Sequence, residues 1–115
     1  MFRRFMPKIL FSPARFTHSR CKSSEVGPEL TTSQLRRAAV SVACNIVEGC
    51  ARRGTSEYLN FLNIAAGSAS ETRYLVEVSC RLGFLSREDG QTVTGTYTEL
   101  CARLQALISS LSHEP

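Results

Sequence analysis

The sequence has no tryptophan, four prolines and two histidines. The histidines, His18 and His113, lie near opposite ends, outside any helical pattern, so a thiol such as Cys44 has no base of the usual kind close to it in sequence. No apolar run approaches the roughly 18 residues that a membrane-spanning helix requires. The stretch "ILF" is too brief for the apolar centre of a secretory signal. Period-two alternation is missing, so strands are not expected. The five cysteines (Cys21, Cys44, Cys50, Cys80, Cys101) contain no C-x-x-C and are odd in number. That argues against a zinc site or disulfide framework and for free, small apolar thiols in a reducing, cytoplasmic setting. There is no Glu-x-x-His pair of the kind a di-metal bundle uses. "AAGSASE" lacks the strand-turn context and glycine spacing of a serine-nucleophile elbow. The expectation is therefore no catalytic residue, metal, cofactor or small-molecule substrate.

Acids are missing from one segment only. Residues 1–24 hold Arg3, Arg4, Lys8, Arg15, Arg20 and Lys22 with no acid, a charge of +6, whereas residues 25–115 hold eight Arg and ten acids, −2, giving the overall +4. The basic pI thus belongs to the N-terminal segment, and bulk charge does not mark the remainder as nucleic-acid-binding. Residues 1–29 also hold Pro7, Pro13 and Pro28. They read as a basic tail, with a processed transit segment or a start-site error as alternatives. Residues 30–115 read as the domain, and 115 residues suit one small domain.

What is present is helical. Leu35, Ala38, Ala39, Val42, Ile46 and Cys50 recur at steps of three and four behind the capping candidates Thr31, Thr32 and Ser33, predicting a helix over about 32–52. Glu48 precedes Arg52 by four, the favourable order for an ion pair. A second helix is expected over about 56–82, capped by Thr55 or Ser56 and stopped by Gly83. Its apolar strips are Phe61, Ile64, Leu75, Val78, Leu82 and, beside them, Tyr58, Leu62, Ala65, Ala69, Val76, suiting a helix with two neighbours. Ser86 to Asp89 resembles a capping box. Val93, Tyr97, Leu100, Cys101, Leu104, Leu107, Ile108 and Leu111 then form a third stripe, whose start Gly90 and Gly95 should fray. The fold class is all-α, an antiparallel up-and-down helical bundle with three clear helices.

Glu71 falls between Ile64 and Leu75 on the wheel, inside an apolar strip, where an unpartnered carboxylate is costly. The preceding helix offers Asn45, Arg36 and Arg37 as its partners. Arg37, Ser41, Asn45, Glu48, Ser68 and Glu71 are therefore read as a structural polar network between two helices. The run from Ala65 to Ser70 leaves a flat patch that lets another helix approach closely. The doublets Arg36-Arg37 and Arg52-Arg53 are the candidate nucleic-acid-binding groups, an ordinary solvated face on one copy and a basic rim if repeated round a ring.

"SQLRRAAVSVACNIVEGCARR" and "EYLNFLNIAAGSASETRYLVEVSCRLGFL" resemble the bacterial four-helix-bundle family, also called the 23S rRNA intervening-sequence proteins. The likeness spans about Ser33 to Leu85, more loosely to Leu111. It rests on Gln34, Arg36, Arg37, Ala38, Ser41, Asn45, Glu48, Gly49, Gly67, Ser68 and Glu71. It implies a compact helical protein that forms homo-oligomeric rings, pentamers in particular, without catalytic activity. Some members are encoded within large-subunit rRNA genes, and a related accessory protein binds nucleic acid and a reverse transcriptase. The family's first helix, aromatic, charged and ending in Phe-Pro, is not evident in residues 1–29, and its mid-motif Pro is Ala43 here. The expected function is a non-enzymatic, self-associating module for RNA or a protein partner. The alternatives are an assembly subunit without a nucleic-acid role, and an enzyme using Glu48, Glu71 and Cys44.

Overall fold

The computed structural model describes residues 27–112. The readings of the basic tail before Gly27, including His18 and Cys21, and of His113 lie outside the described residues. Three helices make up the described part, α1 (Pro28–Cys50), α2 (Thr55–Arg81) and α3 (Arg87–Ser112), and no strand occurs among the described residues.

α1 begins at Pro28, ahead of the expected start and inside the segment read as tail, after an extended Gly27. Proline suits the first helical turn because its missing N–H would have no partner there and its φ is already helical. Thr31 and Thr32 are therefore not caps. They lie within the helix and donate their hydroxyls to the Gly27 and Pro28 carbonyls at 3.2 and 2.7 Å. α2 likewise starts after Gly54, without a side-chain cap from Thr55 or Ser56. At α3 the expected cap is present: the Asp89 N–H donates to Ser86 Oγ at 3.1 Å. Glu88 and Asp89 sit in that first turn, at the positive end of the helix dipole.

α2 ends in a left-handed glycine. Gly83 has φ 79°, and its N–H donates to the Cys80 carbonyl at 3.1 Å while that of Phe84 reaches the Ser79 carbonyl at 2.9 Å. This paired closure satisfies two otherwise orphaned carbonyls. It also reverses the chain so that Phe84 and Leu85 are buried under the turn.

α2 is the middle element. It packs on both neighbours, whereas among the described residues the Cα traces of α1 and α3 nowhere come within 8 Å. The α1 face is Ala38, Ala39, Val42 and Ala43, and the α2 face is Leu62, Ala65, Ala66, Ala69 and Val76. Small residues on both sides let the two backbones come close. Gly49 belongs to the same approach, since a Cβ there would lie 2.9 Å from Phe61 Cβ. Tyr97, Leu100 and Leu104 of α3 join Val42 and Leu62 in one core cluster, flanked by Ile46, Tyr58, Val93, Cys101, Ile108 and Leu111.

Three expectations need correcting. Of the two strips read on α2, the one with Leu62, Ala65, Ala69 and Val76 forms the buried face, whereas in the other Ile64 is exposed and Phe61, Leu75, Val78 and Leu82 are only half-buried. Cys50, placed on the core face of α1, is exposed, since Gly49 takes the contact with Tyr58 and Phe61. Gly90 is not merely a weak point in α3: it is buried beneath Cys80, whose sulfur occupies the space a Cβ would need.

Candidate functional site

On α1, Gln34, Arg37, Ser41, Asn45 and Glu48 recur at steps of three and four, a polar stripe beside the apolar one. The stripe runs along the seam with α2, where Ser68 and Glu71 follow the small-residue face. The Asn45 amide nitrogen donates to the Ser41 carbonyl at 2.7 Å and to Ser41 Oγ at 3.1 Å. The Ser41 and Ser68 hydroxyls are 2.9 Å apart. An amide nitrogen only donates, so Ser41 Oγ accepts from it and its own hydrogen is free for Ser68. This is the hydrogen bond that ties α1 to α2 in the middle of the seam.

The polar line continues across α2. The Thr72 hydroxyl donates to the Ser68 carbonyl at 2.8 Å. Thr72 lies beside the Tyr97 hydroxyl, which is fully buried and makes no hydrogen bond of acceptable geometry among the described residues. Burial pushes the Tyr97 phenol well above its ordinary pKa of 10.0; Thr72 opposes that shift and the nearby Cys101 adds to it. Sequence reasoning placed Tyr97 in an apolar stripe and gave no sign of its hydroxyl's isolation.

Glu71 is not embedded as expected. It is exposed, and neither Asn45 nor an arginine holds it in an ion pair or hydrogen bond among the described residues. It lies beside the exposed Ile64, at the outer edge of a strip that is otherwise half-buried. Glu71 instead forms one wall of an open groove of about 300 Å³, lined also by Gln34, Arg37, Ala38 and Ser41. Arg37 and Glu71 therefore share a groove without forming an ion pair. Glu48 continues the α1 stripe, yet its carboxylate is taken by Arg52.

The arginine doublets are unequal. Arg36, Arg37 and Arg53 are exposed. Arg52 is engaged by Glu48 and stands 5.2 Å from the centroid of the Phe61 ring, a cation–π contact. The other ion pairs, Arg81–Glu77 at 2.8 Å and Arg103–Glu99 at 2.7 Å, are exposed i,i+4 pairs of small energetic weight.

Chemically the groove offers a guanidinium, an amide, a hydroxyl and a carboxylate, which suits recognition of a surface with both signs of charge. Cys44 is exposed on α1. Among the described residues no three His, Cys, Asp or Glu side chains gather as a metal site, and no helix is long and apolar enough to cross a membrane.

Comparison with known proteins adds a family. The 23S rRNA-intervening sequence protein family matches over residues 21–106. No curated protein matches the chain. Among solved structures, a crystal structure at 1.70 Å resolution of a protein with unknown function from the S23 ribosomal protein family of Bacteroides thetaiotaomicron superimposes with a TM-score of 0.74 at 25% identity, covering 93% of this chain and 94% of that chain.

Proposed function

The chain belongs to the 23S rRNA-intervening sequence protein family, and from that premise we propose that it is a non-enzymatic helical subunit that self-associates. The supporting observation is the amount of large apolar surface left outward on α1 and α2. Val40 and Val47 are exposed on α1, and Ile64 and Tyr74 on α2. Such side chains are unremarkable singly, but these fall along single helix faces, the arrangement that precedes association. The test is the mass of the full chain in solution across a concentration series, by sedimentation velocity. A discrete assembly supports the reading; a monomer at every concentration refutes it.

A second reading, RNA contact by the same subunit, draws on the exposed Arg36 and Arg53, for which no acid supplies an ion pair among the described residues. Two such groups on each copy would multiply round an assembly. RNA retention that weakens with salt, and weakens further with Arg36→Ala plus Arg53→Ala, supports it; retention unchanged by both removes it.

A further inference from the structure

The groove between α1 and α2 holds three polar side chains that the fold does not use. Gln34, Arg37 and Glu71 line it, all three are exposed, and none makes a side-chain hydrogen bond or ion pair among the described residues. Ser41, the other polar residue of the lining, is already engaged: its hydroxyl accepts from Asn45 and pairs with Ser68. That pairing fixes α1 to α2 beside the groove, so the unused groups stand on helices rather than on a loop. Arg37 lies one turn before Ser41, and Glu71 one turn after Ser68. Since α1 and α2 form a hairpin, both steps lead toward the same end of the seam.

We propose that this groove reads an unpaired guanine in single-stranded RNA, with Glu71 accepting from N1–H and the N2 amino group while Arg37 and Gln34 donate to O6 and the adjoining phosphate. The inference rests on the RNA reading above and gives it a base preference. A carboxylate accepts two hydrogen bonds side by side, and a guanidinium or amide donates to whatever acceptor lies next to them. Among the bases of RNA only guanine sets two donors together beside an acceptor. Adenine and cytosine place a ring-nitrogen lone pair next to their amino group, and uracil places its N–H between two carbonyls, so each would turn a lone pair toward Glu71. In a duplex the same edge of guanine is taken by its partner base, hence the single strand. Charge favours this occupant over a mixed-charge protein segment, because the exposed Arg36 and Arg37 stand against the single Glu71. The openness of the groove disfavours a free amino acid: exposed ion pairs are weak and would not hold so small a zwitterion. An RNA strand is retained by arginines along its backbone and needs the groove only for selection. At about 300 Å³ the groove suits one base rather than a helix.

Fluorescence anisotropy with the full chain tests it. The probes are end-labelled uridine oligonucleotides of about twelve residues, each with one central guanosine, adenosine, inosine or uridine. At fixed salt the guanosine probe should bind about tenfold more tightly than the adenosine probe. Inosine, which keeps N1–H and O6 but lacks the N2 amino group, should fall between them. Glu71→Gln, its folding verified by circular dichroism, should move affinity and preference in opposite directions. Loss of a negative charge strengthens the binding of every probe, while the guanosine preference disappears, because a carboxamide offers one acceptor oxygen in place of two. If Glu71 only repels RNA, every probe gains equally and the preference is untouched. RNA bound without base preference, or a preference that survives Glu71→Gln, overturns the inference and leaves RNA contact standing. Binding of no probe removes the RNA reading and this inference with it. A peptide alternating lysine and glutamate is titrated in parallel. If it binds, weakens with Glu71→Gln, and the RNA probes show no base preference, the groove belongs to a protein partner and the inference is overturned.

Discussion

Gly90→Ala should destabilise a helix that, by propensity alone, it ought to strengthen. In an open helix interior the change from Gly to Ala is worth about 1 kcal/mol. At Gly90 the added methyl would fall well inside the van der Waals shell of Cys80 Sγ, with Leu85 Cδ2 at 3.8 Å behind it. Cys80 is itself held: its thiol lies 3.7 Å from the Ser86 carbonyl, in the turn that joins α2 to α3. Either the thiol leaves that position or the start of α3 moves away, and overpacking of this kind costs about 1–3 kcal/mol. The clash should exceed the propensity gain, for a net loss of about 1 kcal/mol, or about 4–8 °C in midpoint for a domain of this size. Thermal unfolding followed at 222 nm, at one fixed protein concentration, reads it out. Cys80→Ala supplies the control. It removes the obstructing sulfur, so the double variant should be more stable than the two single effects added together predict. Additive effects, or a Gly90→Ala variant at least as stable as its parent, would refute the packing argument.

Gly67→Ala should move the other way, stabilising the single chain by about 1 kcal/mol because the methyl enters open space; chemical denaturation at a concentration below assembly measures it. Ser41→Ala should cost about 1 kcal/mol, and adding Ser68→Ala should cost little more, since the two hydroxyls form one bond; a fully additive second loss in a urea titration would contradict that. Tyr97→Phe should leave stability unchanged or raise it by about 1 kcal/mol, as it deletes a buried hydroxyl that lacks a partner. The same variant should also differ at high pH. The folded phenol titrates above 10.0, so the unfolded chain loses its proton first; the stability is fully present below about pH 10 and falls as pH rises beyond it. Tyr58 and Cys80 are raised by burial as well and contribute their own alkaline loss, so the part due to Tyr97 is the difference between the parent and Tyr97→Phe unfolding curves above pH 10.

Much of the architecture was legible because helix periodicity and stop signals act locally. Ser86 with Asp89 marked the start of α3, Gly83 marked the end of α2, and both do so for reasons confined to a few residues. The start of α1 was misplaced because Thr31 and Thr32 can serve either as caps or as back-bonding hydroxyls within a helix, and spacing does not distinguish the two. The partners in the polar stripe were only half legible. Ser41, Asn45 and Ser68 were singled out together and do bond, but Glu71 was assigned the wrong environment. A helical wheel gives the angle between residues and not which of two adjoining apolar strips faces inward. On α2 the choice fell to the strip of smaller side chains, since these admit a neighbouring backbone most closely. The roles of Gly49 and Gly90 were illegible for a related reason: each depends on a side chain from another helix.

That the α1 and α3 backbones nowhere come within 8 Å of each other among the described residues bears on how the molecule comes together in time. Its fold is two hairpins that share one limb, each closed by a link of a few residues. Contacts so near in sequence form fast, and either hairpin can nucleate without waiting for the other. Cutting the 51–54 link would therefore spare the α2–α3 hairpin, whereas a break midway along α2 would dismantle both at once.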